Sequence, residues 1–273
     1  MARQIRPMTR DDLEVAISWA AAEGWNPGKR DAAAFHGADP AGFLMAFEDG
    51  EPVSCISAVR YGETYGFLGF YIAKPEARGR GHGLAVWNAA MDHFDGRTVG
   101  LDGVVDQQPN YARSGFVLAH RNVRYAGPAP SGAPRLPEAS TAELVDYDAQ
   151  FFPADRRTFM AAWLTNDGHV VRSVIDDGRV KGFGVLRPCL EGAKIGPLFA
   201  NDAATAEVIF LALCAEAPPG PIILDVPETN PAAVALAERH GLTAVFETAR
   251  MYKGMAPDLP IAKTFGITTF ELG

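Results

Sequence analysis

The stretch Tyr65-Gly66-Phe67-Leu68-Gly69-Phe70-Tyr71-Ile72-Ala73-Lys74-Pro75-Glu76-Ala77-Arg78-Gly79-Arg80-Gly81-His82-Gly83-Leu84 decides the fold. Its first nine residues form an apolar, aromatic run ended by Lys74-Pro75, which predicts a strand from Tyr65 to Ala73. A helix follows from about Leu84 to Phe94, with the glycine-rich turn in between. Strand, glycine turn and helix in that order suit an anion, because the first amides of a helix lack partners and its dipole is positive there. Gly79, Gly81 and Gly83 let consecutive amides approach a phosphate, while Arg78 and Arg80 add positive charge. Read alone, the turn fits a basic surface loop equally well. A dinucleotide fingerprint has different glycine spacing, and a P-loop ends in Gly-Lys-Ser or Gly-Lys-Thr, so both fit poorly.

Working outward, Thr9 is placed to cap a helix over 11–20 that turns Leu13, Ala16, Ile17 and Ala20 to one face. Phe43 to Phe47 and Val53 to Arg60 flank Asp49-Gly50, a strand-turn-strand pattern. That pattern recurs: Val170 to Ile175 and Val180 to Arg187 flank Asp177-Gly178. The recurrence is systematic, since Val53, Arg60, Leu68-Gly69 and Ala73 reappear as Val180, Arg187, Ile195-Gly196 and Ala200, each 127 residues later. Leu101-Asp102 returns as Leu224-Asp225, and Gly115 with Arg124 returns as Gly241 with Arg250. Two copies of one α/β (α+β) unit result, at 1–126 and 138–273. The Pro/Gly-rich segment 127–137 reads as an extended linker.

The 273 residues fit two domains, and no apolar run approaches the roughly 20 residues that a bilayer span needs. No apolar leader follows the basic start, and a cytoplasmic address is expected. A net charge of −8 argues against nucleic acid as a partner. Cys55, Cys189 and Cys214 fit buried free thiols. The scattered histidines give a metal site no support.

Arg78-Gly79-Arg80-Gly81-His82-Gly83 resembles the Arg/Gln-x-x-Gly-x-Gly/Ala signature of the GCN5-related N-acetyltransferases (GNAT). Tyr111-Ala112-Arg113-Ser114-Gly115-Phe116 is similar to that family's closing Tyr-x-x-x-Gly-Phe element. The whole chain resembles tandem members whose second domain ends in a tail like Phe270-Glu271-Leu272-Gly273. The resemblance implies two tandem GNAT-like domains, each a mixed, centrally splayed β-sheet flanked by helices. It implies acetyl-CoA, or another acyl-CoA, as co-substrate and no metal. Residues Arg78, Gly79, Arg80, Gly81, His82, Gly83 and Leu84 would hold the pyrophosphate, and Tyr71, Ile72 and Ala73 the pantetheine. An amide near Ile72 would stabilise charge on the carbonyl oxygen.

Tyr111 falls where a hydroxyl protonates the departing thiolate, a task suited to a phenol of pKa about 10. An ordinary packed aromatic fits the same position. The chain departs from the family pattern where 106–110 is too short for the usual helix and Val104 replaces an Asn. No base stands on the strand 67–72, which leaves Asp102 or a water chain.

Carried 127 residues on, the turn becomes Thr205, Ala206, Val208 and Phe210, and Ala237 stands for Tyr111, so the second copy is expected not to bind coenzyme A. Its Asp225, Glu228, Asn230, Arg250 and Tyr252 are candidates to line an acceptor pocket, the two carboxylates attracting a cationic amine. Equally, Asn230 fits a helix cap before Pro231, and Asp225 fits a structural pair with Arg250. The expected function is acyl transfer from coenzyme A to a small amine. A non-catalytic acyl-CoA or small-molecule sensor is the alternative.

Overall fold

The computed structural model describes residues 3–130, 136–137 and 139–273. The first half runs β1 (Arg3–Pro7), α1 (Arg10–Ala22), α2 (Asp31–Ala38), β2 (Phe43–Glu48), β3 (Glu51–Tyr61) and β4 (Tyr65–Ala73). It continues with α3 (His82–Phe94), β5 (Thr98–Val104), α4 (Gln108–Arg113) and β6 (Val117–Pro128). The second half contributes α5 (Thr141–Asp148), α6 (Arg157–Leu164), β7 (Val170–Asp176), β8 (Arg179–Pro188), β9 (Ala193–Ala200) and α7 (Ala203–Cys214). It ends with β10 (Pro221–Pro227), α8 (Pro231–Arg239), β11 (Thr243–Lys253) and β12 (Thr264–Gly266).

Local chemistry sets the element boundaries. The Thr9 hydroxyl accepts from the Asp12 amide while Asp12 reaches back to the Thr9 amide, a reciprocal cap that starts α1. Ser140 and Glu143 do the same for α5. The short segment before Tyr111 does form a helix, contrary to the expectation from its length. Pro109 sits in the first turn of α4, where its missing amide costs nothing. Gly127 and Pro128, read as the start of a linker, close β6 opposite Ile222 and Pro221. Residues 131–135 and 138 of that segment lie outside the described residues.

The strands join one mixed sheet in the order β1-β2-β3-β4-β5-β11-β6-β10-β9-β8-β7. The last strand of each copy is exchanged: β11 lies antiparallel to β5 of the first half, and β6 antiparallel to β10 of the second. β6 and β11 also pair with each other at the centre. The halves share their core as well. Phe35 of α2 stacks on Trp163 of α6 with centroids 5.9 Å apart, and Phe159 and Phe70 close the cluster. Burial of each such ring contributes about 1.5–3 kcal/mol.

Each half carries one parallel pair, and both pairs stop short. β4 and β5 run in register from Tyr65 opposite Thr98 to Leu68 opposite Leu101, beyond which no pairing continues. β9 and β10 part after Ile195 and Leu224. In the second half the opening is filled by the chain itself, since β12 pairs with β9 at Leu198 and Phe199 and the Ile267 amide donates to the Asp225 carbonyl. All three cysteines are buried and free.

Candidate active site

The opening between β4 and β5 is a cleft of about 450 Å³. On β4 the register with β3 slips between Gly69 opposite Ser57 and Ile72 opposite Cys55, a bulge that puts Phe70 at φ 46°. Bulges end pairing and re-aim the backbone, as required where two strands diverge. Tyr71, Ile72, Ala73, Arg78 and Tyr111 line the cleft from the first half, with Phe246, Thr248, Phe270 and Glu271 from the second. An adjoining hollow brings Leu84 and Trp87 beside Tyr71 and Tyr111.

The glycine turn leads directly into α3. Gly79 and Gly81 have φ of 75° and 80°, and Gly81 is the helix cap with no side chain bonding the first amides. The helices α1, α5, α7 and α8 are capped by the side chains of Thr9, Ser140, Asp202 and Asn230, whereas α2, α4 and α6 lack a side-chain cap as α3 does. The start of α3 therefore keeps its amides for an external anion. A Cβ at Gly83 would stand 3.0 Å from the Tyr71 hydroxyl oxygen, so turn and strand meet closely. Arg78 is tied to Glu23 at 2.6 Å and to the Ala73 carbonyl, and Arg80 to Glu48. The His82 ring faces inward, 2% exposed, with Glu48 3.5 Å away and beyond good hydrogen-bond geometry. Leu84 is exposed.

Tyr111 is buried, with its ring stacked on Trp87 at 5.7 Å and close against Gly103, where a Cβ would come within 2.2 Å of it. Burial, with a smaller contribution from Tyr71, raises its pKa above the ordinary phenol value. Asp102 also reaches the cleft but is engaged by two side chains. Its Oδ1 accepts from Arg250 Nε at 2.8 Å and Asn122 at 2.7 Å, and its Oδ2 from Arg250 Nη2 at 2.6 Å.

The candidate acceptor residues of the second half are likewise engaged, and among the described residues none of the five lines the cleft. Asp225 pairs with Arg124, not with Arg250, through bonds of 2.7 and 2.9 Å. Burial alone would raise its pKa, but Arg124, ahead of Lys194 and Arg187, holds it below the ordinary value. Glu228 accepts from the Arg121 amide at 2.9 Å. Asn230 caps α8 and donates to the Thr264 carbonyl. Arg250 belongs to Asp102, and its guanidinium lies over the Phe67 ring. Tyr252 is buried and accepts from Arg250 at 3.5 Å.

Sequence reasoning missed Trp25, Phe70, Phe246, Phe270 and Glu271. The Trp25 carbonyl is held by Arg124 at 3.0 Å and Lys194 at 2.9 Å. The tail is pinned from both halves, Tyr61 donating to the Leu272 carbonyl and Arg156 to that of Gly273. Among the described residues no group of three or more His, Cys, Asp or Glu side chains could hold a metal, and no helix is long and apolar enough to cross a membrane.

Diverging parallel strands, an uncapped glycine-led helix at their mouth and a buried phenol in the wall define an acyl-group transferase. The chain belongs to the GNAT acetyltransferase family: residues 7–116 match the acetyltransferase (GNAT) family and 144–266 an acetyltransferase (GNAT) domain. It is 30% identical over 275 residues to a holothin acyltransferase of Pseudoalteromonas sp. (strain SANK 73390), covering 98% of this chain and 94% of the relative. A Pyrococcus horikoshii protein described as an acetyltransferase superposes with a TM-score of 0.83 at 24% identity, over 99% of this chain and 96% of its own. A tandem GNAT protein from the clavulanic acid biosynthesis pathway gives 0.62 at 15% identity, over 94% of this chain and all of its own. The family's donors are acyl-coenzyme A thioesters.

Proposed function

We propose that the chain transfers an acyl group, acetyl in the simplest case, from coenzyme A to the nitrogen of a small amine, using one site per chain. The observation that carries this reading is the contrast between the two openings. The first is a cleft with an uncapped helix start beside it; the second is filled by β12, and the equivalent helix α7 is capped by Asp202.

In this reading the amides at the start of α3, with Arg78 and Arg80 nearby, hold the pyrophosphate. The free edge of β4 from Tyr71 to Ala73 pairs with the pantetheine amides, and the bulge at Phe70 turns an amide of that strand toward the thioester carbonyl. Tyr111 donates a proton to the leaving sulfur. The second half closes the cleft with Phe246, Thr248, Phe270 and Glu271, so the acceptor meets both halves. Much of the acceleration then comes from holding amine and thioester in line within a cleft that excludes water. Acyl transfer by a relative matched over nearly its whole length supports this reading, and the buried free thiols suit a reducing compartment.

The test is to incubate the protein with acetyl-CoA and a panel of amines and to follow free thiol. Amine-dependent release of thiol with a matching acetylated product is expected. Tight binding of acetyl-CoA with no turnover on any amine would instead favour a sensor.

A further inference from the structure

The cleft holds a buried ionisable group to which neither the fold nor the donor site gives a use. Glu271 is 4% exposed, lines the cleft, and its Oε2 has no hydrogen-bond partner among the described residues. An unpartnered buried carboxylate oxygen is costly, and a native protein retains one where a ligand, an ion or a water supplies the missing donor or where function requires it.

The neighbouring charges do not supply it. Arg124 and Arg187 lie within electrostatic reach, but Arg124 gives its hydrogen bonds to Asp225 and the Trp25 carbonyl, and Arg187 bonds Asp31 through Nη1 while its buried Nε bonds neither Glu271 nor another described residue. Lys194 donates to the Trp25 carbonyl. Arg250, on β11, is taken by Asp102. Nor is Glu271 loosely placed. Its backbone lies against Gly69, where an added Cβ would stand 2.3 Å from the Glu271 carbonyl oxygen, and the next two carbonyls are held by Tyr61 and Arg156. Gly69 immediately precedes the bulge at which the cleft opens.

Three flat apolar side chains share the cleft with this carboxylate: Trp25, Phe246 and Phe270. The two phenylalanines are held by Arg124, whose guanidinium lies 5.7 Å and 4.8 Å from their ring centroids. Aromatic walls beside a buried carboxylate suit a cationic head on a flat body.

We propose that Glu271 binds the ammonium group of the acceptor and takes the proton that must leave before its nitrogen can attack, and that the acceptor is a primary amine carried on a flat ring. This rests on the acyl-transfer reading above. One proton passes from the ammonium to Glu271 and on to solvent. The freed lone pair forms the bond to the thioester carbonyl carbon as the carbon–sulfur bond breaks. The second proton lost by nitrogen balances the one that sulfur takes from Tyr111.

Glu271→Gln keeps the shape of the tail and removes the charge. Calorimetric titrations with tryptamine, with its neutral isostere 3-ethylindole and with acetyl-CoA separate recognition from turnover. In the variant, tryptamine binding weakens at least tenfold while 3-ethylindole and acetyl-CoA bind as in the wild type. The kcat/KM for tryptamine falls about 100-fold at neutral pH, the low end for a general base, and recovers as pH approaches about 10, where solution supplies free amine. Glu271→Asp, which retracts the carboxylate by one methylene, falls between the two and serves if the glutamine form does not fold. Unchanged tryptamine affinity, a rate loss equal at every pH, or parallel loss of acetyl-CoA binding overturns the assignment. A wild type that binds tryptamine through Glu271 yet releases no thiol with it or with any amine of the panel overturns acyl transfer and leaves the recognition site standing.

Discussion

Asp102 and Arg250 are 148 residues apart in sequence, yet they face each other across β5 and β11 in a two-bond ion pair of 2.6 and 2.8 Å. Their repeat equivalents Asp225 and Arg124 face each other across β10 and β6 in the same way. Each copy thus supplies the aspartate for the other copy's arginine. A buried, bidentate pair placed by strand exchange makes the halves interdependent, because neither half alone can neutralise its own charge.

Removing one partner leaves the other charge buried. Asp102→Asn should therefore cost about 3–5 kcal/mol in urea unfolding. Asp102→Asn combined with Arg250→Met should cost clearly less than the sum of the two single changes. Additive losses would mean that the pair is energetically idle.

The crossing of these pairs was not legible in the sequence. The repeat placed both aspartates and both arginines correctly, but β6 and β11 are copies of each other and either satisfies the pattern of β5 or β10. Partner choice is a tertiary decision, and so the expected Asp225–Arg250 pair was wrong. The strand-turn-helix at Tyr65–Phe94 was legible because apolar runs, glycines and Pro75 act locally. Glu271 was not: the tail has no periodicity, and its carboxylate becomes a site group only because Tyr61 and Arg156 hold the residues after it. The aromatic wall was hidden for the same reason, since Trp25 and Phe246 are 221 positions apart and only strand exchange brings them to one cleft.

Gly81 caps α3 at φ 80°, where a side chain costs about 1–2 kcal/mol of strain and where a carboxylate would face the bound anion. Gly81→Glu should weaken acetyl-CoA binding at least 100-fold by calorimetry. Gly81→Ala carries the same backbone strain without the charge and should lose far less. Intact affinity in the glutamate variant would remove the turn from the donor site.

Tyr111→Phe keeps the ring on Trp87 and Gly103, so stability should stay within about 0.5 kcal/mol of wild type. If the hydroxyl protonates the sulfur, kcat should fall by about 100-fold or more with acetyl-CoA affinity unchanged. Because burial raises the Tyr111 pKa, the hydroxyl keeps its proton as pH rises. The wild-type rate should accordingly show no alkaline decline from this group below about pH 10. A phenylalanine variant with the wild-type rate would leave Tyr111 a packing residue.

Lys194 is buried, and its pKa falls from 10.5 to about 8, first through desolvation and then through Arg124 and Arg187. Between those two values the unfolded chain binds a proton that the native state does not, so stability rises with pH across that window. The depression corresponds to about 3 kcal/mol withheld below pH 8 and recovered by about pH 10.5. Lys194→Met abolishes this dependence. The stability difference between variant and wild type, measured by urea unfolding at both ends of the window, should therefore shift by about that amount in favour of the wild type at high pH. Since Lys194 also holds the Trp25 carbonyl, the variant should loosen one wall of the cleft and raise the KM for the amine more than that for acetyl-CoA. A flat stability difference across the window would mean that the ammonium is not desolvated, and equal KM changes would mean that Trp25 does not serve the acceptor.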